Sequence, residues 1–297
     1  MTDRQGRSSL ATQRRARAGA ARWGAFAVCL ALAVPGAGCM PPGWGANALL
    51  HPHRRPGSQV PGTPVEKLNL DVAPGVRLAA WMFRTPRPRR GLVVYLHGLG
   101  SNRASGIGIA NHFLALGFDV LAYDGRALGE SGGEACTYGF YEKQDLSRAL
   151  DLVGATRALV FGVSLGAAVG LQAAAVEPRI AMVVAVAPFS DLRTAARERA
   201  PFFASQANID EAFRIAEREG RFRADDVSPM AAAAALHIPV LLVHGADDRE
   251  TPPAHAQRIA AALPGPKKLV LVPGAHHNDA LTPAAWSAID GWVASNW

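Results

Sequence analysis

The chain has 297 residues, of which 49% are hydrophobic and 19% charged, enough apolar material for a sizeable core and too much for a disordered chain. The formal net charge of +7 sits mostly at one end: residues 1–38 carry six arginines against one aspartate, and the remainder holds 25 Lys and Arg against 23 Asp and Glu. A remainder so close to neutral gives no reason to expect a nucleic-acid partner, and three cysteines supply no disulfide framework.

The six arginines precede Trp23, and about a dozen mostly apolar residues then run from Trp23 to Val34. This run is shorter than the roughly 20 residues needed to span a bilayer and has the size of a secretory signal core. It ends Pro35-Gly36-Ala37-Gly38-Cys39, and a small pair directly before a cysteine resembles a bacterial lipobox, with Gly36 where leucine is usual. The resemblance implies removal of residues 1–38 and lipidation of Cys39, anchoring the chain to a membrane of the cell envelope. Ordinary cleavage near Gly38, releasing a secreted or periplasmic protein, is the alternative. Cys29 leaves with the signal in either case, so Cys136 is the one thiol left inside the domain. Residues 39–64 are rich in Pro and Gly and read as a tether. His51 and His53, within that stretch, have no Cys, Asp or Glu at ligand spacing, and no metal site is expected there.

From Val65 onward the pattern is α/β. Val65–Val72 and Val76–Phe83 read as two antiparallel strands around Ala73-Pro74-Gly75. The basic stretch Arg84–Arg90 reads as a solvated loop, or as an arm touching anionic headgroups. Apolar runs follow near 92–97, 118–123, 158–163, 182–187, 240–244 and 268–272, with helical stretches between them and a last helix from about Pro283 to Ser295. The expected architecture is a mostly parallel eight-stranded sheet, its last six strands parallel and wrapped by crossover helices. Some fifty residues between Phe189 and Ile238 are too many for one crossover helix. Pro201-Phe202-Phe203, Phe213, Phe222 and Met230 in this insertion either line a pocket or, the preferred reading, dock it on the sheet.

The chemistry is concentrated at strand ends. Gly162-Val163-Ser164-Leu165-Gly166 follows the apolar run Ala158–Phe161 and opens a small-residue helix, a strand–turn–helix that lifts a serine hydroxyl onto a helix N-terminus. The flanking glycines are expected where strand and helix nearly touch. A serine hydroxyl needs a base, and the base needs an orienting acid. His244-Gly245-Ala246-Asp247-Asp248 follows the strand run at 240, and His276-His277-Asn278-Asp279 follows the run at 268. The order Ser, Asp, His with each residue after its own strand is a far stronger signal than any one motif. No zinc motif, P-loop or dinucleotide fingerprint is present.

Taken together, residues from about 65 to the end resemble the α/β-hydrolase superfamily, most closely small-cap esterase or peptidase-like hydrolases of the BEM46 and serine aminopeptidase type. The resemblance is carried also by the His97-Gly98 turn after Leu92–Leu96, by the D-x-R-x-x-G-x-S-x-G pattern from Asp124 to Gly133, and by Thr137-Tyr138-Gly139 with Glu142 and Asp145. It implies that His244, Gly245 and Asp248 fill an H-G-x-x-D pattern with Pro252 four residues on, making Asp248 the acid and Asp247 a solvated or capping neighbour. It places the base at His277, directly before Asn278, with His276 where glycine is usual. The oxyanion would be held by the backbone amides of Leu99 and Leu165, and residues about 189–237 would form the cap. His97 and His244 read as structural, and Asp124 and Arg126 as a hydrogen-bonded strand-end turn. The implied activity is hydrolysis of carboxylic esters, with thioesters or small amides and peptides next, through an acyl-enzyme on Ser164. It requires no metal and no organic cofactor. Two other readings stay open: a non-catalytic lipoprotein that keeps the fold as a binding module, and an acyltransferase.

Overall fold

The computed structural model describes residues 41–57 and 59–297. The expected signal peptide, 1–38, and the lipidation site Cys39 lie outside the described residues.

The first element is a correction. The stretch expected to be a tether forms a nine-residue helix, α1 (Pro42–Leu50). Pro42 occupies the first turn, where a missing N–H leaves no hydrogen bond unmade and the fixed φ favours a helix. Ala46 and Leu50, one turn apart, are both buried. So short a helix has little stability of its own; the domain holds it. The Cys136 amide donates to the Leu50 carbonyl at 2.9 Å, and the Tyr138 hydroxyl donates to the Leu49 carbonyl at 3.0 Å. No helix or strand forms among the described residues between α1 and residue 65.

The strands are β1 (Glu66–Ala73), β2 (Val76–Phe83), β3 (Gly91–Leu96), β4 (Phe118–Tyr123), β5 (Ala158–Val163), β6 (Ile180–Val186), β7 (Val240–Gly245) and β8 (Lys267–Val272), and each lies within about two residues of its predicted position. They form one sheet in the order β1-β2-β4-β3-β5-β6-β7-β8. β1 pairs antiparallel with β2, and β2 antiparallel with β4, while every pair from β4 across to β8 is parallel. A parallel sheet covered on both faces needs strands apolar along their whole length, which is why β3 and β5 read as continuous apolar runs and β4 as one broken only by Asp119. The two edges carry charge: Glu66, Lys67 and Asp71 on β1, Lys267 and Lys268 on β8, which guards the unpaired backbone against other strands.

One face of the sheet is covered by α3 (Glu142–Leu152), α4 (Leu165–Ala174) and α8 (Ala254–Ala262), the other by α2 (Ile107–Ala115) and α9 (Pro283–Asn296). On the second face Phe161 stacks on Trp286 with centroids 5.7 Å apart and meets Phe113 edge-on at 5.8 Å. The insertion between β6 and β7 holds three helices, α5 (Leu192–Arg199), α6 (Gln206–Gly220) and α7 (Pro229–Ala233). Each starts at a polar N-cap, Asp191, Ser205 or Ser228, whose side chain accepts the amide three residues on. Phe213 and Phe222 are buried and Met230 packs against the core, as docking residues should. Phe202 and Phe203 depart from that reading, being 100% and 60% exposed.

Candidate active site

Ser164 stands between β5 and α4 with φ +52° and ψ −113°, a strained conformation for a residue with a Cβ. The strain is held from both sides: the Ser164 amide donates to the Val186 carbonyl at 2.7 Å, and its carbonyl accepts from the Ala168 amide at 3.1 Å. A Cβ on Gly162 would lie 2.4 Å from the Gly166 carbonyl oxygen, so strand and helix do nearly touch there. At Gly166 the obstruction is different. A Cβ would lie 2.1 Å from the Leu96 carbonyl oxygen at the end of β3. The turn is therefore squeezed by the neighbouring strand as well as by its own.

His277, in the loop between β8 and α9, places Nε2 2.9 Å from Ser164 Oγ and Nδ1 2.7 Å from Asp248 Oδ2. Since the carboxylate can only accept, Nδ1 carries the proton and Nε2 faces the hydroxyl as an acceptor. Asp248, after β7, is itself held: Oδ1 accepts the amides of Glu250 and Thr251, each at 2.9 Å. His244 Nε2 donates to the Thr251 carbonyl at 2.7 Å and lies 3.2 Å from Asp248 Oδ2. Burial opposes ionisation of Asp248, but hydrogen bonds from His244, His277 and the Thr251 amide outweigh it and hold the carboxyl far below the ordinary carboxylate range. The neighbours left aside in the sequence stay outside this relay. Asp247 and His276 are exposed, and His276 Nδ1 donates to the Asp247 carbonyl at 2.9 Å.

Leu99 and Leu165 both border the cavity in front of Ser164. The loop carrying Leu99 is fixed by His97, whose Nδ1 donates to the Gly98 carbonyl at 2.8 Å and whose Nε2 accepts the Gly125 amide at 3.0 Å. Burial pushes the His97 imidazole below its usual range, which suits a neutral ring acting as a brace. Behind it, Asp124 accepts the amides of Arg103 and Glu130 at 2.6 and 2.8 Å, and Ser131 Oγ donates to the Asp124 carbonyl at 2.6 Å. Arg126 forks onto Asp145 at 2.8 and 2.6 Å. Asp124 and Arg126 thus hold turns in place, as the sequence indicated. The Arg84–Arg90 stretch is partly paired, with Arg84 and Arg89 both on Asp119, at 3.2 and 2.9 Å.

A family model described as the alpha/beta hydrolase fold matches residues 91–229. The esterase Pf2001 of Pyrococcus furiosus superposes with a TM-score of 0.68 at 22% identity, over 82% of this chain and 98% of that one. The chain has the α/β-hydrolase fold. An acetyl xylan esterase from Paenibacillus sp. R4 gives a TM-score of 0.64 at 21% identity, over 85% of this chain and 92% of that one. At such identities the likeness speaks for the fold alone. In sequence, the uncharacterised protein YqkD of Bacillus subtilis is 32% identical over 202 residues, 65% of this chain and 66% of that protein.

Within this α/β-hydrolase fold a cavity of about 260 Å³ opens in front of Ser164. Ser164, Leu99, Leu165, Tyr138 and Phe189 border it, and Pro41 with α1, α5, α6 and the connection between α5 and α6 supplies its remaining walls. Among the described residues no cluster of three or more His, Cys, Asp or Glu is arranged to hold a metal ion, and no helix is long and apolar enough to cross a membrane. Sequence reasoning missed three parts of this site. His244 was legible as a strand-end histidine, yet its bond toward Asp248 depends on a loop fold that spacing does not give. Arg199, at the end of α5, donates to the Glu250 carbonyl at 2.9 Å and to Thr251 Oγ1 at 2.6 Å, tying the cap to the acid loop. The α1 wall was hidden by its Pro/Gly content, although the Ala46–Leu50 spacing is the signal that finds it.

Proposed function

We infer that this chain is a serine hydrolase that cleaves carboxylic esters through an acyl-enzyme on Ser164. The observation that carries the reading is the continuous relay from Ser164 Oγ through His277 to Asp248, at 2.9 and 2.7 Å, with the serine held on a strained turn. A binding module has no use for a strained serine aimed at an oriented imidazole. In the first half-reaction His277 Nε2 takes the hydroxyl proton as Oγ attacks the acyl carbon. The amides of Leu99 and Leu165 receive the developing oxyanion, a contribution of about 3–4 kcal/mol per donor in such sites. Asp248, kept ionised, stabilises the imidazolium, which then protonates the leaving alcohol. In the second half-reaction His277 Nε2 takes a proton from water as the water oxygen attacks the acyl carbon, and then gives that proton to Ser164 Oγ as the acyl–Oγ bond breaks and the acid is released.

The esterases of like fold support an ester substrate; thioesters and small amides use the same machinery. The short three-helix cap is in keeping with the small-cap members of the superfamily. The test is covalent labelling: the parent chain treated with a fluorophosphonate and weighed intact gains one adduct, and Ser164→Ala gains none. A folded parent that takes no adduct refutes the reading and favours the binding module.

The leader sequence supports export and lipidation at Cys39, with the domain held to the cell envelope. Metabolic labelling with a fatty acid analogue tests this, since labelling should be abolished by Cys39→Ala.

A further inference from the structure

The helix that precedes the domain borders the same cavity as the nucleophile. Pro41, Pro42, Gly45, Ala48 and Leu49 line the cavity beside Ser164, facing Ala195 and Ala196 of α5 and Ala212 of α6. The facing residues are small. At Gly45 the two walls meet, and a Cβ would sit 2.9 Å from the Ala212 Cβ. The charged residue of the lining, Arg199, is engaged with the Glu250 carbonyl and Thr251 Oγ1, so the remainder of the wall is largely apolar.

The position of the base decides which half of an ester this cavity takes. The leaving alcohol must lie within reach of His277 Nε2, which protonates it. The cavity borders the oxyanion positions Leu99 and Leu165 but not His277 or Asp248. The acyl half is therefore directed into the cavity and the alcohol half away from it.

We propose that α1 is the substrate-selecting wall of the site, and that the cleft between α1 and the cap helices α5 and α6 seats an uncharged aliphatic acyl chain of several carbons. The assignment of the cleft to the acyl half rests on the serine hydrolase reading given above; the existence of an apolar site on α1 does not. Each methylene seated raises kcat/KM about fourfold, the equivalent of roughly 0.8 kcal/mol of apolar burial, until the cleft is full.

The test uses the full chain and Ala48→Trp. Ala48 is exposed at the cavity edge, so a larger side chain there fills the cleft without disturbing the buried Ala46 and Leu50. With 4-nitrophenyl esters from acetyl to decanoyl, the parent rate should rise with chain length, and Ala48→Trp should lower the octanoyl-to-acetyl ratio of kcat/KM by tenfold or more. Leu49→Ala, which widens the cleft, should move the optimum to a longer chain. An octanoyl-to-acetyl ratio unchanged by Ala48→Trp, with Ser164 still labelled by fluorophosphonate, overturns the proposal and leaves the hydrolase reading intact. Calorimetric titration with 1-octanol needs no catalysis and decides the matter if no ester is turned over. Weakening of its binding by tenfold or more in Ala48→Trp supports the α1 site; equal affinity for the two proteins refutes it.

Discussion

Replacing Asp248 by asparagine exchanges one oxygen for an NH2 group, and the acid loop decides which oxygen. Oδ1 accepts two amides, from Glu250 and Thr251, so an NH2 group there would face two N–H donors. The asparagine must therefore keep its carbonyl at that position and turn NH2 toward His277 Nδ1, where Oδ2 now lies at 2.7 Å. A donor opposite Nδ1 forces the imidazole into the other tautomer, with its proton on Nε2, directed at Ser164 Oγ across 2.9 Å. The base is then unable to accept the hydroxyl proton. A wrong-tautomer lesion of this kind costs about 10⁴-fold in rate, or roughly 5.5 kcal/mol at 1.36 kcal/mol per tenfold. The assay is kcat/KM on a short-chain 4-nitrophenyl ester, with the rate of fluorophosphonate labelling as a second readout, for Asp248→Asn and, as control, Asp247→Asn. Activity of Asp248→Asn within tenfold of the parent would refute the argument, as would an equal loss in Asp247→Asn.

Gly166→Ala drives a methyl into the Leu96 carbonyl, where only backbone can yield. It should destabilise the fold toward the upper end of the about 1–3 kcal/mol typical of overpacking, whereas Gly291→Ala, in an open position on α9, should gain about 0.5–1 kcal/mol; urea unfolding of both variants reads the difference. Phe161→Ala removes the ring that meets Trp286 and Phe113 and should cost about 3–5 kcal/mol in the same experiment. Glu177 is paired with Arg179, whose side-chain hydrogen bonds hold its carboxyl down from 4.5 to about 2. The folded value lies below the unfolded one, so the stabilisation is complete above about pH 4.5 and lost as pH falls toward 2. Glu177→Gln should accordingly flatten the stability curve across that window, and an unchanged slope would show that the pair contributes nothing.

The parallel strands were legible because burial on both faces demands apolar runs, which β3, β5 and β6 carry without a charged residue and β4 and β7 carry apart from Asp119 and His244, while the edge strand β8 keeps its apolar run only after Lys267 and Lys268. Ser164 was legible because its flanking glycines are imposed by steric contacts, and the acid and base because each follows a strand of its own. The choice of Asp248 over Asp247 came from motif spacing; in the structure it corresponds to one carboxylate turned inward and the other left in solvent. The α1 helix was not legible from composition, since its two prolines and two glycines in positions 41–45 mimic a linker, and the contacts that order it come from residues 136, 138 and 212, far along the chain. Phe202 and Phe203 are the converse case: aromatic content suggested burial, but the α5–α6 turn carries them outward.

The three residues of the relay hang from strands of unequal security. Ser164 follows β5, which is paired on both sides, while His277 follows β8, which pairs with β7 alone at the margin of the sheet. Marginal strands fray at a lower free energy than the interior. Loosening of β8 and its loop would withdraw the imidazole and leave the serine turn in place, so that warming should silence the molecule before it melts. Reactivity toward a fluorophosphonate would then decline at temperatures where the far-ultraviolet signal of the whole domain is still native, making His277 a local thermometer for this corner of the fold.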